Sequence, residues 1–70
     1  MIEVFKTNVR QKKEAKPLVK LIANKFPVQR VDFDLQDCDK ILRVEGENFS
    51  AEKIINMLKD KGFQCSILEQ

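Results

Sequence analysis

Seventy residues allow a single domain, 1–70, and a chain this short buries only roughly 60% of its unfolded surface, so periodic apolar residues are read first as core. Thirteen Lys and Arg against eleven Asp and Glu leave a net charge of +2, too small to imply a nucleic-acid partner. Histidine is absent, which excludes imidazole as base, relay or metal ligand. No apolar run approaches the about 20 residues of a membrane span, and Met1 to Lys6 has no signal-peptide architecture. The expectation is a cytoplasmic domain with neither membrane nor nucleic acid as partner.

The first strand is expected over Ile2 to Lys6, with Ile2 and Val4 on one face and Phe5 on the other. Apolar residues on both faces place it centrally in a sheet. Thr7 to Ala15 then reads as a connection, with Val9 to Lys13 a true loop. The following helix carries Ala15, Leu18, Val19, Ile22 and Phe26 at helical spacing. Pro17 lacks an N–H and is tolerated only in a first turn, which sets the helix start near Glu14 to Lys16. Pro27 closes it at Phe26.

Val28 to Leu35 alternates as a half-buried strand, with Val31, Phe33 and Leu35 on one face and Arg30, Asp32 and Asp34 on the other. Gln36 to Lys40 is turn chemistry, and Ile41 to Glu45 resumes a strand with Leu42 and Val44 inward and Ile41 outward. Ser50 suits the N-cap of a second helix, with Phe49 stapled onto Ile54 and a stripe of Ala51, Ile54, Ile55 and Leu58. Gly62 suits the left-handed position past that helix, and Phe63 the contact that follows it. Gln64 to Leu68 is the last strand.

The order βαββαβ is the ferredoxin-like α+β sandwich, a four-stranded antiparallel sheet ordered 4-1-3-2 with two helices on one face. Laid out so, the chain resembles the heavy-metal-associated domain, the module of copper chaperones and of the amino-terminal domains of metal-pumping P-type ATPases. The resemblance spans about Ile2 to Leu68. It rests on Val19-x-x-Ile22-Ala23-x-x-Phe26-Pro27, on Val31 to Leu35, and on Ile54-Ile55-x-x-Leu58-x-x-x-Gly62-Phe63. The family's metal motif, Met-Thr-Cys-x-x-Cys, falls on Arg10 to Ala15, so Lys12 and Ala15 stand where the resemblance puts cysteines. Cu(I) and Zn(II) want thiolates, and an ammonium repels a cation. The family also places an aromatic or a lysine beside the metal loop at the position of Phe63, which here reads as the cap contact.

Three groups of residues are left as candidates for function. Arg10, Lys12, Lys13 and Lys16 lie near a helix N-terminus, where an anion or an acidic partner surface is favoured, although the loop has no glycine and is not a phosphate cradle of the Walker type. Asp32, Asp34, Asp37 and Asp39 form an acidic edge and tip without the glycine and distal glutamate of an EF-hand. Cys38, with Asp37 and Asp39, makes a weak thiol or cation site in the turn, whereas Cys65 reads as a small core residue. With the second hairpin strand and the last strand on opposite edges, about 4.8 Å per strand, the two sulfurs stand too far apart for an internal disulfide.

These readings converge on a non-enzymatic partner-binding domain with no cofactor, and the alternative is a copper or zinc domain with an atypical ligand set. Weak self-association through a bare sheet face carrying Ile2 or Phe5 and Ile41 is a further expectation.

Overall fold

The computed structural model describes residues 1–69. Its elements are β1 (Ile2–Thr7), α1 (Lys12–Lys25), β2 (Val28–Asp34), β3 (Ile41–Gly46), α2 (Ala51–Asp60) and β4 (Cys65–Ile67). The sheet is ordered β2-β3-β1-β4 and every pairing is antiparallel, the topology expected from the alternation of strand and helix periods. The edges are β2 and β4. The second hairpin strand, β3, lies inside the sheet, which corrects the expectation that it forms an edge.

Register decides which side chains meet the helices. Phe5 pairs with Leu42 on one side and Ile67 on the other, and Val31 pairs with Val44. Phe5, Leu42 and Val44 are wholly buried with Ile22, Ile54, Leu58 and Val9. Because side chains alternate across a strand, Ile2, Val4, Lys6, Ile41, Arg43, Asp32 and Asp34 fall on the opposite face. Of the residues expected to form a bare apolar patch there, Phe5 is in the core and Ile41 is only 6% exposed. The registered neighbours of Ile41 are Lys6 and Asp34, and a long side chain such as that of Lys6 lays its aliphatic stem over an apolar neighbour while keeping its head in water. Ile2 alone of the three is exposed.

Helix α1 begins earlier than Pro17 suggests. Gln11 is its N-cap, and the Gln11 amide donates to Glu14 Oε1 at 3.3 Å, one arm of a capping box. Pro17 therefore sits inside the helix. Its missing donor leaves the Lys13 carbonyl without an intrahelical partner, and this is tolerated because Lys13 and Pro17 are both exposed to water. Lys12 and Lys13 belong to the helix, and only Asn8 to Gln11 remains as connection.

Helix α2 follows its sequence signals. Ser50 Oγ accepts from the Lys53 amide at 3.2 Å, and Phe49 and Ile54 are both buried. At the other end Gly62 takes φ 91°. The Gly62 amide donates to the Lys59 carbonyl at 3.0 Å and the Phe63 amide to the Leu58 carbonyl at 3.0 Å, the paired bonds of a Schellman cap. Gly46 has a different reason to be glycine. A Cβ there would meet the Pro27 carbonyl oxygen at 2.8 Å and the Val28 Cα at 3.0 Å, beside the bulge that shifts register between Val28 and Arg30.

Both cysteines are free. Cys65 pairs with Thr7 and is buried, and that burial pushes its thiol up from 9.0 to about 11 against the opposing pull of Lys59. Cys38 is exposed in the hairpin turn.

Two measurements check this packing. Gly46→Ala forces backbone apart and is expected to cost about 1–3 kcal/mol, as overpacking does, in urea unfolding. Iodoacetamide at neutral pH should label one thiol per chain, lost in Cys38→Ser, because Cys65 is both covered and protonated. The raised Cys65 pKa adds stability that is complete below about pH 9 and disappears as pH climbs through about 11, so Cys65→Ala should flatten that alkaline loss.

Candidate functional site

The end of the molecule that carries the candidate residues is organised by Thr7, a buried polar residue at the close of β1. Its hydroxyl donates to the Lys40 carbonyl at 2.6 Å and accepts from the Val9 amide at 3.2 Å. Its own amide donates to the Asp39 carbonyl at 3.0 Å. One step along, Asn8 Oδ1 accepts from the Gln64 amide at 2.7 Å. The first connection, the β2–β3 turn and the entry to β4 are thereby pinned together, and Val9 is drawn into the core. Sequence spacing left Val9 in a solvated loop, since one valine among polar residues has no period to announce it.

From this anchor the basic residues are set out along the start of α1. Arg10, Lys12, Lys13 and Lys16 are all exposed, and among the described residues none has a carboxylate within ion-pair distance. Lys12 is the first helical residue, where cations gain nothing from the helix dipole. The Glu14 carboxylate folds back onto the Gln11 amide and supplies the negative charge that a helix start favours. Ala15, three residues beyond Lys12, is buried with its methyl in the core. The two positions where the sequence resemblance puts metal ligands thus present one solvated ammonium and one inward methyl.

The acidic tip is mostly occupied in building its own turn. Asp37 Oδ1 accepts from the Asp39 amide at 2.9 Å, Asp34 Oδ1 from the Gln36 amide at 3.3 Å, and the Lys40 ammonium donates to the Leu35 carbonyl at 2.8 Å. Lys40 takes the left-handed φ of 48°, with its amide bonded to the Asp37 carbonyl at 3.0 Å. Asp37, Cys38 and Asp39 place one ligand atom each within 4.8 Å of one another, as three consecutive residues of a tight turn do. Its Asp39 carboxylate also lies 3.6 Å from the Lys6 ammonium, a fixed positive charge where a metal would bring another. Asp32 is directed elsewhere, with Arg30 at 3.5 Å and Arg43 at 3.9 Å on the open sheet face.

A groove of about 640 Å³ runs between α1 and the edge strand β2, with Phe33 and Val19 among its walls. No sequence pattern announces it, because it forms only where α1 folds back against the edge of β2. Phe63, read as a cap contact, is partly buried against the core beside that cap, next to a smaller recess of about 230 Å³ that also reaches Cys65 and Lys6. No helix among the described residues is long and apolar enough to cross a membrane.

No protein-family profile and no curated protein matches the sequence. Among solved structures, the yeast copper transporter domain Ccc2a, determined in solution in apo and Cu(I)-loaded states, matches with a TM-score of 0.84 at 18% identity, over 97% of this chain and 94% of that one. Near-complete coverage of both chains makes this a likeness of whole domains, and at that identity it is a likeness of fold. The chain has the ferredoxin-like βαββαβ fold of that copper transporter domain, as its sequence resemblance to heavy-metal-associated domains implies.

Proposed function

We propose that this domain is a non-enzymatic binding module built on a metal-carrier fold, and that its first connection and the start of α1 meet a partner protein instead of a metal ion. The observation that carries the reading is the pair Lys12 and Ala15 on one helical turn, an exposed ammonium and a core methyl. Neither donates to a soft cation. Around them Arg10, Lys13 and Lys16 add exposed positive charge, which suits an acidic protein surface better than a cation.

A second reading has one observation in its favour. The ligand atoms of Asp37, Cys38 and Asp39 lie within 4.8 Å of one another, and the yeast domain of the same fold was studied with Cu(I) bound. A single exposed thiol flanked by carboxylates is a poor soft-metal set, because Cu(I) is held by thiolate and thioether ligands. Lys6 beside Asp39 weakens it further.

Anaerobic titration of Cu(I) and Zn(II) into the reduced protein separates the two. The binding-module reading expects no stoichiometric uptake at micromolar protein. Uptake abolished by Cys38→Ser would assign the metal to the turn and overturn it. In the same assay Lys12→Cys combined with Ala15→Cys should create a Cu(I) site with a thiolate absorption band. A folded double variant that takes up no Cu(I) would mean that the start of α1 does not occupy the family's ligand position.

A further inference from the structure

We infer that the groove between α1 and the outer edge of β2 receives an extended peptide that adds a fifth strand to the sheet and carries acidic side chains on alternate residues, the ones that face α1. This deepens the binding-module reading and rests on it, naming the chemistry of the partner and extending its seat from the start of α1 along the flank of that helix.

The strand edge is the first argument. Among the described residues β2 pairs only with β3, so the amides and carbonyls that alternate away from β3 have no strand partner. Such an edge is a template for strand addition. Proteins usually blunt it with a proline, an inward charge or a covering element. Between Val31 and Leu35 there is no proline, and the residues aimed at the groove are Val31, Phe33 and Leu35. All three are only partly buried.

The second argument is the opposite wall. Ala15 and Val19 continue the apolar floor from α1, while Lys12, Lys16 and Lys20 stand above it as a row on the same helix flank. Among the described residues none of the three has a carboxylate within ion-pair distance. A row of unpaired ammonium groups over an apolar floor repels a basic occupant and fits carboxylates carried on aliphatic stems, as in glutamate.

Spacing is the third argument. Lysines at every fourth helical position recur about every 6 Å along the axis. Side chains on one face of an extended strand recur about every 6.8 Å. Three glutamates on alternate residues of an added strand therefore stay nearly in step with Lys12, Lys16 and Lys20, with their aliphatic stems against Val19 and Phe33, while the intervening side chains turn to the opposite face of the sheet. Asp32 and Asp34 also line the groove, but alternation turns both carboxylates toward the opposite face of the sheet, where Asp34 accepts from the Gln36 amide. Asp32 is held between two arginines on the other face.

The test is selection of octapeptides from a random display library on the immobilised full chain, followed by titration of the consensus peptide into 15N-labelled protein. Selected sequences should carry acidic residues at alternate positions, and amide shifts should concentrate in Val31 to Leu35 and Lys12 to Lys20. Lys16→Glu with Lys20→Glu alters only exposed positions and should weaken the peptide at least tenfold. A peptide with its acids changed to lysine should recover binding to that variant. Consensus sequences without acidic residues, shifts centred elsewhere, or affinity unmoved by the charge reversal would overturn the groove proposal. Failure to enrich any peptide would overturn it too, and the binding-module reading would still stand or fall separately on the metal titration.

Discussion

The buried hydroxyl of Thr7 is the point on which the end of this domain that carries the candidate residues depends. It joins the close of β1 to Val9 and to Lys40 through two hydrogen bonds, and no buried side-chain polar atom among the described residues lacks a partner. A satisfied polar group inside a small core specifies position, since any displacement strands a donor or acceptor at a cost of about 1–3 kcal/mol. The consequence reaches outward from the core. With the first connection and the β2–β3 turn both tied to Thr7, α1 is delivered to the sheet with its start fixed, and Lys12, Lys16 and Lys20 are aligned over the edge strand.

Much of the fold was legible because its signals are local and agree with one another. Alternation at Val31, Phe33 and Leu35 and helical spacing from Ala15 to Ile22 assign the elements. Ser50 and Gly62 mark the ends of α2 by chemistry that needs no tertiary context. The misreadings arise where a distant partner overrides a local rule. Pro17 argues for a later helix start, yet the Gln11 and Glu14 cap begins α1 at Lys12, and the orphaned Lys13 carbonyl is left facing solvent, whose water donates to it. Ile41 points to the open face as alternation requires, but Lys6 and Asp34 beside it leave little of it exposed. Gly46 carries no turn signal, and its necessity comes from the backbone of Pro27 and Val28 arriving from the neighbouring strand.

The candidate site divides in the same way. Lys12 and Ala15 could be assigned to the ligand positions by counting along the helix pattern, and the turn grouping of Asp37, Cys38 and Asp39 by adjacency. The groove was not legible. Its two walls, Lys12 to Lys20 and Val31 to Leu35, meet only when α1 packs against β2, and each wall read separately is an ordinary amphipathic element. The positive charge read at the first connection is in fact the beginning of a longer row that continues past Pro17 to Lys20. The loop end and the helix-strand flank are the two surfaces proposed for a partner, and in this chain unpaired cations run from one to the other.

The central claim is that a fold shared with a copper transporter domain is used here without copper. Native mass spectrometry of the reduced protein, purified anaerobically from cells grown in copper-replete medium, tests it most directly. The account predicts the mass of the bare 8.2 kDa chain, alone or with a bound peptide. A dominant species carrying one copper ion per chain would contradict it.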